Sequence, residues 1–300
     1  MDRNSASSSD VSSSRVAVIG GAGQMGSWFA RYFTSRGFPT VLTDARLEGA
    51  AEIAEETGAV LSDTNRGAVE GVDLALVCVP IRHTAEVVLE VAPRMKAGAI
   101  LAEVSSIKSS AVEALREASR MGVTPLSIHP LFGPSAASLE GKTIVVVPVV
   151  EGEREKDLTR KLFDEANILV SEVEEHDKAM AVVLSLAYFV NLALAKVLND
   201  EDLLLLKRLA GTTFTLQLAL VESVVSEELD LIEPLLRENR FTEAYLDRYV
   251  QGTEEIRRLI RYDIDGFLEL CDSLKVSMAR DPEFQSADER RYRAFEALKT

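Results

Sequence analysis

Only three histidines occur in the chain, and one stands in the run SIHPLFGP, residues 127–134, where an apolar strand-like stretch meets a Pro and a Phe-Gly-Pro turn. Imidazole is the side chain whose ordinary pKa lies nearest neutrality, so His129 held at a strand end is a candidate general base. Pro130 removes a backbone donor and Gly133-Pro134 turns the chain, which stops the strand just past the imidazole. A second polar cluster, AEVSSIK, places Ser105, Ser106 and Lys108 at the end of another apolar run. A hydroxyl and an imidazole on neighbouring strand ends suit removal of a proton from a carbinol while hydride leaves for an acceptor. One of the two serines also suits capping of a helix that begins near Ser109, and Lys108 is either part of this polar edge or a solvated residue of that helix's first turn. His83, in VPIRHTAEVV, is either a surface residue or a cofactor contact; His176, in EVEEHDKAMA, is either a hinge or a pocket-lining residue. Three scattered histidines offer no metal-ligand spacing, and no metal is expected.

The hydride acceptor has its own sequence pattern. VAVIGGAGQMG sets Gly21, Gly23 and Gly26 directly after an apolar strand and at the mouth of a helix. Glycines there let the backbone turn tightly and approach a pyrophosphate, and the helix N-terminus supplies free N–H groups and a positive dipole. Gln24 and Met25 lie between the second and third glycine. Pro80, closing the run VDLALVCVP, falls at a third strand end facing the same cleft. Eighteen residues beyond Gly26, Asp44 closes the second strand, where a carboxylate accepts from ribose hydroxyls and repels a 2′-phosphate. NAD is therefore the expected cofactor, although Arg46, two residues on, could turn toward a phosphate.

Elements of two kinds must position these groups. From Arg15 onward, Val/Ile/Leu-rich strands alternate with helical segments over 24–36, 47–57, 109–121 and 153–166. That alternation indicates an α/β domain, a doubly wound parallel sheet of Rossmann type, over residues 15–174. Beyond it, residues 175–300 show only helical spacing, with breaks near Asn199-Asp200 and Gly211 and kinks expected at Pro234 and Gly252. The run over 180–198 is apolar almost all round, so it is read as buried in a bundle or against a second copy, and the all-helical domain as a homodimerisation domain. Ser185, Asn191 and Lys196 interrupt that run, which argues against a membrane span. A net charge of −15 with no basic stripe excludes a nucleic-acid partner. Cys78 and Cys271 form no disulfide framework, which fits a reducing cytoplasm. Residues 1–14, with seven serines and no apolar core, read as a flexible tail.

In order along the chain, GGAGQMG, VPIRHT, EVSSIK, HPLFGP and EEHDKAMAVV resemble the prephenate and arogenate dehydrogenases of tyrosine biosynthesis. The resemblance implies NAD-dependent oxidative decarboxylation of a small cyclohexadienyl carboxylate, with His129 as the base at C4 and Ser106 orienting it. It also implies that Gly21, Gly23, Gly26 and Asp44 hold the cofactor, that Ser105 and His176 line the substrate site, and that the helical domain makes a homodimer. Two departures stand out. Leu184 and Tyr188 replace a usual Gln and His, and Ser223 falls where family members place an arginine for the ring carboxylate, leaving Arg208 and Tyr188 as candidate donors. A specialised substrate such as arogenate or 4-amino-4-deoxyprephenate, a precursor of 4-aminophenylalanine, accords with that altered pocket. The alternatives are a β-hydroxyacid or imine oxidoreductase using Lys178, and a non-catalytic NAD-binding sensor.

Overall fold

The computed structural model describes residues 14–298, so the tail expected over 1–14 lies outside the described residues except for Ser14. Two compact units divide after Met180. The expected boundary lies at 174/175, and His176 falls within the first of these units.

The first unit is built on eight strands: β1 (Val16–Ile19), β2 (Thr40–Thr43), β3 (Val60–Leu61), β4 (Leu74–Val77), β5 (Ile100–Glu103), β6 (Thr124–Pro130), β7 (Thr143–Val146) and β8 (Asn167–Val170). They lie in the order β3-β2-β1-β4-β5-β6-β7-β8. Interleaved helices are α1 (Gln24–Ser35), α2 (Leu47–Thr57), α3 (Asn65–Ala68), α4 (Ile81–Val91), α5 (Ser109–Ser119), α6 (Gly152–Leu162) and α7 (Val173–Met180). All pairings are parallel except β6 with β7, where His129 opposes Val145. No helix intervenes between those two strands, and a chain that doubles straight back can pair only antiparallel. The sheet is thus mostly, not wholly, parallel.

Alternation along β1 explains the doubly wound layering. Val16 and Val18 join Phe29 and Phe33 of α1 and Phe163 on one face, while Ala17 and Ile19 join Val87, Val88 and Val91 of α4 and Leu115 of α5 on the other. Strands buried on both faces are apolar throughout, as β1 and β4 are. At about 25 cal/mol per Å² of apolar area, these two layers supply most of what stabilises the unit.

The second unit is helical: α8 (Ala187–Leu198), α9 (Leu203–Leu209), α10 (Thr212–Ser226), α11 (Leu229–Arg237), α12 (Thr242–Tyr262), α13 (Ile264–Met278) and α14 (Ala287–Ala297). Breaks fall at Asn199 and Gly211 as the sequence suggests. Two other expectations are corrected. The segment over 180–198 is not one regular helix, because residues Ala181–Leu186 form a π-helical stretch in which the Ser185 hydroxyl donates to the Leu235 carbonyl at 2.6 Å. Gly252 does not interrupt α12, since a lone glycine costs a helix only about 1 kcal/mol. Pro234 sits buried within α11. Inside this unit Gln217 of α10 donates to Asn191 of α8 at 2.8 Å, satisfying a polar pair in an apolar interface. By length and hydropathy the continuous run Val173–Leu198 could cross a membrane. Its first turns, however, hold the charged and hydrogen-bonded groups described next.

Candidate active site

The carboxyl edge of the sheet is where a doubly wound fold takes its ligand. At the end of β1 the chain turns at Gly20, whose φ of +85° lies in the left-handed region and where a Cβ would meet the Cys78 carbonyl oxygen at 2.4 Å. Gly26, in the first turn of α1, packs on that turn so closely that a Cβ would fall 1.9 Å from the Gly20 oxygen. Gly23 caps α1 without any side-chain bond, and Gln24 is exposed beside it with Met25 half buried. The glycine spacing in the sequence points to Gly21, Gly23 and Gly26, whereas the left-handed turn falls at Gly20. The Asp44 carboxylate accepts the Ala22 N–H at 3.0 Å and the Arg46 N–H at 2.8 Å, which sets the acid against the glycine loop. The Arg46 side chain is 71% exposed; its Nη2 donates to the Ala22 carbonyl at 3.3 Å and its Nε lies 3.9 Å from Asp44 Oδ1. Pro80 is exposed at the start of α4. A turn in which a Cβ at Gly20 or Gly26 would strike backbone, a helix N-terminus without a side-chain cap and an adjacent acid fit a dinucleotide.

Farther along the same edge, β5 and β6 run in register with Glu103 opposite Ser127, and His129 follows two residues later. Glu103 and Lys108 are both fully buried, and Lys108 Nζ donates to Glu103 Oε1 and to the Ile128 carbonyl, each at 2.6 Å. The hydroxyls of Ser127 and Ser105 lie 2.5 Å from the two oxygens of the same carboxylate. A buried ion pair persists only when its remaining hydrogen-bonding capacity is met, and here three side chains and the Ser105 N–H converge on one carboxylate. Lys108 is therefore no solvated first-turn residue: it ties the loop after β5 to β6 directly behind His129. Burial draws its ammonium below the usual lysine range, opposed by Glu103. The Ser105 hydroxyl is likewise bonded within this network, to Glu103 and to the Ile107 carbonyl at 2.9 Å.

No serine caps α5. Instead the Asp177 carboxylate, arriving from α7, accepts the Lys108 N–H at 2.8 Å and the Ser109 N–H at 3.0 Å, and meets the Ser109 hydroxyl. Its neighbour His176 is also buried, with Nδ1 2.9 Å from Asp177 Oδ1 and Nε2 2.9 Å from His129 Nδ1. The two imidazoles cross edge to face at 72°. Burial, the Lys108 charge and His176 together hold His129 well below the usual histidine range, against the pull of Asp177, so it is neutral at neutral pH. For Asp177, burial pushes the carboxyl up, but bonds from His176, Ser109 and the Lys108 N–H outweigh it and keep the group ionised. Nδ1 of His129 is thus occupied. Among the described residues its Nε2 meets no partner.

Ser106 is half-buried, and among the described residues no hydrogen bond joins it to His129, whose Nδ1 meets His176. His83 is 53% exposed on α4, its ring facing Glu86. Lys178 projects from the exposed side of α7, and no metal-binding group of residues occurs among the described residues. The loop after β6 is pinned on α1, where Trp28 Nε1 donates to the Ala136 carbonyl at 2.7 Å and the Trp28 ring contacts Phe132 at 5.1 Å. Tyr188, Arg208 and Ser223 belong to the second unit, on α8, α9 and α10. Tyr188 is half-buried, and its hydroxyl pKa is raised by burial and by Glu227, whereas Arg208 and Ser223 are exposed.

Glycine loop, acid and buried histidine on one sheet edge define a dinucleotide-dependent oxidoreductase architecture. Sequence models described as "Prephenate dehydrogenase, nucleotide-binding domain" and "Prephenate dehydrogenase, dimerization domain" match residues 29–172 and 172–275, and the chain belongs to the prephenate dehydrogenase family. The first match begins inside α1, so the glycine loop stands on its geometry. A probable arogenate/prephenate dehydrogenase of Methanocaldococcus jannaschii is 27% identical over 263 residues, 85% of this chain and 59% of that protein. A 4-amino-4-deoxyprephenate dehydrogenase of Streptomyces pristinaespiralis is 29% identical over 174 residues, 56% of this chain and 57% of that protein. The chain thus spans about three fifths of the length of the curated relatives it matches. Prephenate dehydrogenase from Aquifex aeolicus, solved with hydroxyphenyl propionate and NAD+, superposes with a TM-score of 0.70 at 17% identity, covering 89% of this chain and 98% of that one. At that identity the superposition speaks to fold alone.

Proposed function

We propose that the protein oxidatively decarboxylates prephenate or a close cyclohexadienyl analogue, with NAD as the hydride acceptor. The observation that supports this most is His129: a buried, neutral imidazole on the carboxyl edge, with Nδ1 engaged and Nε2 unpartnered. Gly21, Gly23 and Gly26 hold the pyrophosphate and Asp44 the adenosine ribose. Bound there, NAD supplies a site for the hydride leaving substrate C4. His129 Nε2 takes the proton from the C4 hydroxyl as that carbon becomes carbonyl-like. The C1–carboxylate bond then breaks to release carbon dioxide, its electron pair enters the ring, and the oxygen recovers its proton from His129 to leave a phenol. Aromatisation makes the sequence effectively irreversible.

Arogenate and 4-amino-4-deoxyprephenate present the same ring to the same base; in the latter the proton comes from an amine and the product is an aniline. Leu184, Tyr188 and Ser223 depart from the residues usual in the family, and the 29% identity to an enzyme named for the amino analogue keeps that substrate among the three to be tested. We further propose a homodimer formed by the helical unit, which leaves Leu204, Leu209, Leu229, Tyr262 and Val276 each at least 70% exposed, and a cytoplasmic setting that suits the free Cys78 and Cys271.

NADH absorbance followed with each of the three acids in parallel tests the reading. Turnover with one of them, abolished in His129→Asn by a factor of about 10² to 10⁴ and unaltered in Lys178→Ala, is expected. Tight NAD binding with no turnover on any of them would instead support a sensor.

A further inference from the structure

We infer that Asp177 and His176 act as positioning residues that determine, through two successive hydrogen bonds, which nitrogen of His129 is left bare for the substrate. This rests on the reading of His129 as the base, and it follows from counting protons. Asp177 accepts from the Lys108 and Ser109 N–H groups and meets the Ser109 hydroxyl, an arrangement that suits an ionised carboxylate. An ionised carboxylate only accepts, so the contact at 2.9 Å requires a proton on His176 Nδ1. A neutral His176 is then bare at Nε2. That bare nitrogen stands 2.9 Å from His129 Nδ1, so His129 must carry its own proton at Nδ1. A neutral His129 with its proton there is bare at Nε2, the nitrogen without a partner.

An imidazole left to itself favours the opposite tautomer, with its proton on Nε2, and the bond made by the other nitrogen decides which form is present. Without the chain from Asp177, most of the His129 population would present a donor, not an acceptor, to the substrate hydroxyl. The same chain serves the step that follows. Once His129 gains a proton, its Nδ1–H continues to donate to a neutral acceptor that the Asp177 charge supports. Lys108 and Glu103, the other charged groups packed around the pair, are already satisfied by each other and by the Ile128 carbonyl and two serines. They do not compete for either ring.

The chain's small histidine count makes this directly observable. In long-range ¹H–¹⁵N spectra of the full ¹⁵N-labelled chain with NAD at neutral pH, three rings are expected, with His83→Gln identifying the surface one. The expected result is His129 and His176 both in the Nδ1–H form, and a shift of the His129 ring signals in His176→Leu. A proton on His129 Nε2, or a doubly protonated His176, would overturn the proposal. Kinetics supply the second arm. His176→Leu, which keeps volume but offers no acceptor, should lower kcat by about 10² or more with little change in KM. His176→Gln, whose amide can accept from His129 and donate to Asp177, should recover most of it. Equal losses in both variants would indicate packing alone and overturn the positioning role. If none of the three acids is turned over, the spectra still decide the tautomers, which separates failure of this inference from failure of the assigned reaction.

Discussion

The two ends of the sheet edge solve opposite problems. Around Gly20 to Gly26 the backbone governs: a Cβ at Gly20 or Gly26 would strike main chain, and the nearby carboxylate, Asp44, is held by two main-chain donors. Around β5 and β6 the side chains are the reagent, and Glu103, Lys108, Ser127, His129, His176 and Asp177 are all buried. The glycine loop has no room for a Cβ at Gly20 or Gly26 and contains no charged side chain. The buried network is the reverse: it contains no left-handed turn, and every member depends on a charged or polar neighbour. The contrast teaches that cofactor and base sites in one fold should fail differently when damaged, one through affinity and the other through stability and rate.

Removing one ion tests that contrast most severely. Lys108→Met leaves Glu103 charged and buried without its cation, a change that costs about 3 to 5 kcal/mol when a buried pair is broken. The lower end is expected, since Ser105, Ser127 and the Ser105 N–H continue to donate to Glu103. Denaturant unfolding should show it as a lower midpoint with unchanged slope. Adding Glu103→Gln should recover part of the loss, because neighbours in one network are not additive. A single variant as stable as the wild type would show that the pair is not what orders this end.

Gly26→Ala addresses the other end. A Cβ 1.9 Å from the Gly20 oxygen forces backbone, not a flexible side chain, to move. The loop proposed to hold the pyrophosphate should shift, raising the Kd for NAD about tenfold, which is about 1.4 kcal/mol. The tautomers of His129 and His176 should stay as they are. If the alanine variant instead lost rate with NAD affinity intact, the division of labour between the two ends would be wrong.

How far the sequence discloses each end follows from the range of its contacts. Glycine spacing, strand, helix and Asp44 lie within one βαβ segment, so their joint meaning is local and legible, as is the shift from alternating to purely helical character near residue 174. Lys108 was unreadable for the opposite reason: beside a helix start it resembles any exposed lysine, and only β6, folded against β5, brings Ser127 and the Ile128 carbonyl onto it. His176 and Asp177 are adjacent in sequence, yet the role of the pair depends on His129, 47 residues earlier. The antiparallel β7 could have been anticipated from the missing helix between residues 131 and 142. The π-helical stretch at Ala181–Leu186 has no Pro or Gly to announce it.

The smallest effect concerns acid. His129 is held well below its ordinary value first by burial, then by the Lys108 charge and His176. Above about pH 6.5 the ring is neutral in folded and unfolded chains alike and contributes no difference. As pH falls through 6.5 the unfolded chain takes a proton that the folded one refuses, so stability is lost from there downward until the folded value is reached. At pH 6 this amounts to about 0.8 kcal/mol for one such histidine. Comparing wild type with His129→Asn across pH 5 to 8 isolates it: the wild type should lose stability faster below pH 6.5, and parallel curves would contradict the depressed value. If His129 is the base proposed above, the same depression keeps it unprotonated, and the acid limb of kcat/KM should lie below pH 6.5. No titrating group in the glycine loop is expected to move with it, which distinguishes a site run on protons from one run on backbone.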